Sequence, residues 1–342
     1  MTRIQFQPEY SENNPLVSVV VMAYQRTEYL KITITSIIGQ TMGDFELIVA
    51  DDSNSPEIAR MCSAFKDPRI RYIGNEKRLG MLLNAKTGMK LGRGKYIANI
   101  HDDDVLDARF LESLVRPMER DKNIGLVFCD HKIMDADGVE DISASEENTK
   151  TWGREGLSEG LITNRAEAFF NGVIPVPSAR VFRAESIDLD ELYEGVGIVY
   201  DWWMSFLHCR SAFECYYVPE RLMSYRLHSG SETATKNPSY GEAMVFILSY
   251  FLIHKSFPEM DDVIKERLIK ASFNGAKFRL LSGENRKART SLIKAFRLTG
   301  SIRCIMVYLF AWLPSWLTTR VLKVLFVFRI NPGRNERLRF ID

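Results

Sequence analysis

The chain lacks a hydrophobic run long enough to cross a bilayer: residues 305–313 are apolar, but Pro314 ends the run, well short of the roughly 20 residues a spanning helix needs. Cysteine is scarce, with five at positions 62, 129, 209, 215 and 304. Their spacing fits neither a metal knuckle nor a redox pair. There is almost no net charge, +1 over 342 residues, so the broad basic excess of a nucleic-acid binder is missing. Residues 1–14 are polar, without the apolar stretch of a secretory signal, and the expected location is cytoplasmic. No Gly-rich loop bearing Lys or Arg follows the first apolar run, which counts against a nucleotidyltransferase. The composition, 46% hydrophobic and 26% charged, suffices for one large core with an appended region.

What is present is a strand–loop–helix rhythm with polar groups at the strand ends. Residues 16–22 read as a buried strand, followed by Tyr24 and Arg26 in a loop. Thr27 is the expected N-cap of a helix with Leu30, Ile34, Ile37 and Ile38 on one face. Residues 45–50 form a second strand ending in Asp51 and Asp52. Residues 69–73 form a third, and a helix follows near 81–91. The fourth, 95–100, runs into His101 and then Asp102, Asp103 and Asp104. Alternation at this spacing predicts a doubly wound α/β layer, with ligands bound outside the carboxyl ends of its strands.

Three adjacent carboxylates repel one another unless a cation sits among them, and hard oxygen ligands suit Mg²⁺ or Mn²⁺. Such an ion usually completes its shell with water and substrate phosphates. The competing reading is a solvated turn, with Asp107 capping the next helix. Convergence of polar groups from three strand ends favours a site for a phosphorylated or nucleotide-linked substrate.

The same residues carry a resemblance. Residues 17–24, 38–41, 45–53 and 94–97 leading into Asp102–Asp104 together resemble family 2 glycosyltransferases, over roughly residues 15–230. The resemblance implies a GT-A fold: a mixed, mostly parallel sheet flanked by helices. It also implies an inverting, metal-dependent transferase of hexosyltransferase type, acting on a nucleotide-diphosphate sugar, with a UDP-sugar favoured. Tyr24, Arg26 and Asp51, with Asp52 beside it, match the positions that hold uracil and ribose. Asp103 matches the principal metal ligand with Asp104 as a second, and Asp102 falls near the ribose or sugar; a shift of one residue in the alignment exchanges these roles. The chain departs from the family by having His101 where many relatives have an acid. That leaves a silent sugar-nucleotide or glycan-binding protein as an alternative beside the nucleotidyltransferase.

Downstream, residues 124–130 read as a strand ending in Asp130, and residues 133–139 as a hairpin with an Asp-Gly turn. Residues 141–158 are polar and aperiodic, which predicts a mobile loop on the acceptor side; 175–178 lead into a strand over 179–182. Asp201 then opens a helix as Asp-Trp-Trp. It can be a plain N-cap, or the base that takes the proton of an attacking hydroxyl; in the resembling family an acid here has that second role. Trp202 or Trp203 is a candidate platform for a sugar or lipid acceptor, with core packing expected for at least one of them. In the resembling family a Tyr-Arg-x-His segment closes the donor site, which implies that His228 completes the metal shell or touches the diphosphate and that Arg226 helps neutralise it. The other histidines, His101 and His208 among them, have no comparable support.

The expected division is a catalytic domain at 1–235 and a helical region at 236–342. Charge is uneven between the two ends: residues 286–342 hold 12 Lys or Arg against 2 acids, net +10. Arg320, Lys323 and Arg329 alternate with Trp316, Leu317, Val321, Leu322 and the apolar residues 324–328. Cations interleaved with Trp and Phe predict an in-plane anchor over about 300–330 on an anionic membrane surface, not a nucleic-acid stripe. A peripheral enzyme at the inner face of a cell membrane, acting on a glycan or lipid-linked glycan, would suit bacterial surface polysaccharide assembly. An ordinary helical subdomain is the alternative.

Overall fold

The computed structural model describes residues 2–6, 14–175, 178–230 and 238–327. The first unit begins with β1 (Thr2–Phe6), β2 (Val17–Ala23), α1 (Thr27–Ile38), β3 (Phe45–Asp51), α2 (Pro56–Ala64) and β4 (Ile70–Asn75). Next come α3 (Met81–Lys90), β5 (Tyr96–His101), β6 (Val105–Leu106), α4 (Phe110–Arg120), β7 (Ile124–Met134) and β8 (Glu140–Asp141). It continues through α5 (Ile142–Thr151), β9 (Gly160–Leu161), α6 (Arg165–Phe170), β10 (Arg180–Arg183), α7 (Tyr200–Arg210) and β11 (Glu214–Arg226). The strands form one mixed sheet in the order β1-β4-β3-β2-β5-β10-β7-β11-β6, with β8 on β7 and β9 on β11. This is the expected α/β architecture.

The order explains where a site can form. β4, β3, β2 and β5 run parallel, and the chain steps outward from β2 through β3 to β4 before returning to β5 on the other side of β2. That reversal is a topological switch point, where the loops after β2 and β5 part and leave a crevice. Every residue of β2 and β3 is buried, as strands covered by helices on both faces require. Gly94 shapes the entry to β5: a Cβ there would lie 2.4 Å from the Ser18 nitrogen, so only glycine fits.

Several local expectations change. α1 starts at Thr27 itself with Arg26 at the cap and no side-chain cap bond, so Thr27 is not the N-cap. Asp107 does not cap α4 either; its carboxylate accepts from Arg109 N–H at 2.9 Å, forming a turn before the helix. β7 runs past Asp130 to Met134 and makes the expected hairpin with β8, Gly138 taking φ +85°. The loop expected at 141–158 contains α5, capped by Asp141. Its buried face is polar: Ser145 donates to Asp141 C=O, and Asn148 accepts from Arg154. Helical order therefore left no apolar period in the sequence. Val176 and Pro177 of the 175–178 lead lie outside the described residues.

The second unit comprises Tyr193–Val199 and Thr235–Asp342. Its described helices are α8 (Pro238–His254), α9 (Asp261–Leu281), α10 (Asn285–Thr299), α11 (Ile302–Phe310) and α12 (Ser315–Val327). Ala276, Leu280, Ala288, Leu292 and Ala311 form a small buried core. α8 and α9 cross closely because Gly241 faces Gly275, where an added Cβ would meet the opposing Cα at 3.0 Å. Among the described residues no single helix is long and apolar enough to cross a membrane; Ile302–Phe310 with Ser315–Leu322 reaches that test together, bent by 119°. The pair exposes Ile302, Met306, Leu309, Trp312 and Trp316, each more than 60% accessible. Side chains from Lys323 onward, and so the Lys323 and Arg329 part of the expected anchor, lie outside the described residues.

Candidate active site

The acidic loop sits at the switch point. β5 pairs with β2 so that His101 is opposite Met22, which brings the residues after each strand together. The backbone N–H of Tyr24 donates to Asp102 Oδ2 at 2.8 Å. The Arg26 guanidinium spans the loop, 2.6 Å from Asp102 Oδ1 and 2.5 Å from Asp103 Oδ2. His228 arrives from the loop after β11, its Nε2 lying 3.0 Å from the same Asp103 oxygen. Gly230 N–H donates to His228 Nδ1. The ring proton is thereby assigned to Nε2, facing Asp103. Asp103 Oδ2 is thus the point on which Arg26 and His228 converge.

The three carboxylates are shifted in different directions because their surroundings differ. Burial pushes Asp102 up to about 7, against the pull of Arg26. Burial also opposes ionisation of Asp103, but His101, Arg26 and His228 together hold its carboxyl below the usual range. Asp104 is raised well above that range by burial and by repulsion from Asp103. Its oxygens accept from Ser178 Oγ at 2.5 Å and from Arg226 N–H at 3.3 Å. The Ser178 oxygen in turn accepts from His101 N–H at 3.1 Å.

Thr33 of α1 braces the loop from below, its hydroxyl lying 2.7 Å from the Asp104 carbonyl. Arg226, expected to neutralise a diphosphate, is buried instead. It donates to the carbonyls of Asp103, Asp135 and Ala136 and lies over the Tyr29 ring, so it positions the loop.

Could a divalent ion be held here? One ligand atom each from His101, Asp103 and Asp104 lies within 4.8 Å of the others; the carboxylate oxygens suit Mg²⁺ or Mn²⁺, and an imidazole in the set favours the less hard Mn²⁺ of the two. The donor set fits an ion centred on Asp103, provided the Arg26 guanidinium moves. His101 was set aside in the sequence because a lone histidine carries little information. Its register opposite Met22 was the missing signal.

Asp51 and Asp52, at the end of β3, are occupied within the protein. Asp51 accepts from Ser53 N–H, Ser53 Oγ, Ser55 N–H and Tyr72 Oη at 2.5–2.8 Å. Asp52 accepts from Asn75, Leu79 N–H and Gly80 N–H. Leu79 and Gly80 follow Arg78, whose guanidinium lies 4.4 Å from the centre of the Tyr24 ring. Arg78 is a cation at this edge that the sequence did not single out.

Asp201 is the second residue of α7, half-buried, with its Oδ1 accepting from Trp202 N–H at 2.7 Å. Burial raises its pKa, opposed by Arg180 and His101. Burial lowers the pKa of His101, against the opposing pull of the Asp103 and Asp201 charges. Buried Arg180 fixes the start of α7 by donating to the Asp201 carbonyl at 2.6 Å. Neither tryptophan is an acceptor platform: Trp202 stacks on Phe169 at 4.4 Å and Trp203 is fully buried, its indole N–H on Glu191 C=O.

Residues 18–187 match the family model described as "Glycosyl transferase family 2". The chain belongs to that family. A glycosyltransferase of Haemophilus influenzae is 28% identical over 68% of this chain and 71% of its own length. The Escherichia coli enzyme printed as "UDP-Glc:alpha-D-GlcNAc-diphosphoundecaprenol beta-1,3-glucosyltransferase WfgD" is 28% identical over 36% of this chain and 49% of its own. With a 38% identical glycosyltransferase of Methanocaldococcus jannaschii the match covers 41% of that relative; the chain thus spans under half the length of these two. The structure of S. aureus TarS 1-349 in complex with UDP-GlcNAc superposes with a TM-score of 0.64 at 13% identity, over 92% of each chain. That likeness concerns the fold, which is GT-A.

Proposed function

We propose that this family 2 glycosyltransferase moves a sugar from a UDP-sugar to a hydroxyl of a glycan or lipid-linked glycan, inverting the anomeric centre. The observation that carries the reading is Asp103: an acid at the switch-point crevice whose carboxyl is held below the usual range by His101, Arg26 and His228. UDP and UDP-GlcNAc complexes of the fold neighbour TarS support the donor class. The printed name of WfgD supports a lipid-linked acceptor in bacterial polysaccharide assembly.

Asp103, with Asp104, His101 or His228 completing the set, would hold Mg²⁺ or Mn²⁺, which when bound stabilises charge on the departing diphosphate as a Lewis acid. Tyr24 and Arg78 bracket the nucleotide edge, while Asp51 and Asp52 hold the shape of the loops that meet it. Asp201 takes the proton from the attacking hydroxyl. The raised pKa makes it a stronger base than an ordinary carboxylate, and Arg180 holds the backbone that aims it. The exposed α11–α12 face lies on the anionic inner surface of the cell membrane. In Asp201→Asn, UDP binding persists while transfer from the UDP-sugar falls about 10²–10⁴-fold; wild-type turnover in that variant contradicts the base assignment.

A further inference from the structure

The acidic loop already holds a cation, and it belongs to the chain. Arg26 contacts Asp102 and Asp103 at 2.6 and 2.5 Å, and its Nη1 lies 3.1 Å from His228 Nε2. A divalent ion bound to Asp103 Oδ2 would sit about 2.1 Å from that oxygen. Nη1 is 2.5 Å from the same atom, so ion and guanidinium exclude each other there by size and by charge.

Arg26 is built to leave. It caps α1 without a side-chain cap bond, follows Gln25 at φ 63°, and its side chain is 32% exposed. Asp102 Oδ1 has the ion pair but no aligned hydrogen bond from it. Removing the guanidinium with nothing in exchange would leave neighbouring carboxylates to repel one another.

We infer that Arg26 is a tethered counter-ion: it neutralises the acidic loop in the donor-free enzyme, and a divalent ion displaces it onto the donor's phosphates. The inference rests on the metal-assisted reading above. An ion arriving alone must break two ionic contacts and leaves Arg26 without an anion. A nucleoside diphosphate supplies both a new partner for Arg26 and further oxygens for the ion. Metal and donor therefore bind with positive coupling, which for such linked sites is typically about 5–150-fold.

The test is Mn²⁺ binding to the full chain without nucleotide, read from the electron paramagnetic resonance of free Mn²⁺, and then again with UDP. Arg26→Gln is expected to bind Mn²⁺ alone at least about 5-fold tighter than wild type and to lose most of the tightening by UDP. Arg26→Lys, a point charge without the fork, is expected to fall between them. Lys31→Gln removes an exposed charge of the same helix that does not touch the loop and is expected to leave Mn²⁺ binding unchanged. If Arg26→Gln binds Mn²⁺ no tighter, or Lys31→Gln tightens it equally, the counter-ion assignment is overturned while the UDP–Mn²⁺ site stands. If wild type binds no Mn²⁺ even with UDP, the metal reading and this inference fall together.

Discussion

Two acidic clusters end the parallel strands on either side of β2, and they have opposite fates. Asp51 and Asp52, after β3, spend their oxygens on loop N–H groups, a tyrosine and an asparagine. Asp102 and Asp103, after β5, face a guanidinium and a histidine. The first cluster shapes a loop; the second is held by side-chain ionic contacts, which in the proposed function a ligand exchanges for its own. A carboxylate pair at a strand end therefore does not announce its own role: the role depends on whether nearby backbone donors have already claimed the oxygens.

The largest expected effect comes from treating the clusters as if they were alike. Asp103→Asn should lower transfer by on the order of 100-fold, as loss of one electrostatic stabiliser typically does, with a stability loss confined to its ionic contacts with Arg26 and His228. Asp51→Ala should cost more stability. Buried donors left without an acceptor cost about 1–3 kcal/mol each, so an unfolding titration should show a loss of roughly 3 kcal/mol. Equal stability losses in the two variants would erase the distinction.

A subtler effect follows from Asp102, whose folded pKa is raised to about 7. The folded state then binds more protons than the unfolded one between about pH 4 and 7, so this residue weakens the fold as pH rises through that window. Asp102→Asn should raise the melting temperature at pH 8, and the gain should vanish by about pH 4. A gain that is constant with pH would assign the effect to packing.

The second unit makes the smallest prediction and a separate contrast, because its unusual side chains face outward. Leu309→Glu should weaken sedimentation with phosphatidylglycerol vesicles several-fold without altering the fold by circular dichroism. Unchanged sedimentation would make the α11–α12 face a surface for something other than lipid.

Most of the layer architecture was legible because β2, β3 and β5 are continuous apolar runs that end abruptly in polar residues. The acidic loop and Asp201 were legible as residues worth attention. What the sequence hid was the partnering. Arg226 reads as a phosphate ligand and His101 as noise; only the register of β5 against β2 and the course of β11 show the first buried under the loop and the second inside it. α5 was invisible for a different reason: its buried face is Ser145 and Asn148, satisfied by Asp141 and Arg154, so no hydrophobic period marked it. Core packing is the expected role for at least one of the tryptophans after Asp201; that both are buried cannot be read from residue type.

The most direct test is calorimetric titration of UDP into the wild-type chain and Asp103→Ala, each with and without Mn²⁺. Binding that requires both the ion and Asp103 is the predicted result. UDP binding of equal strength in the variant, or without the ion, would contradict the assignment of the acidic loop as the donor's metal-assisted diphosphate site.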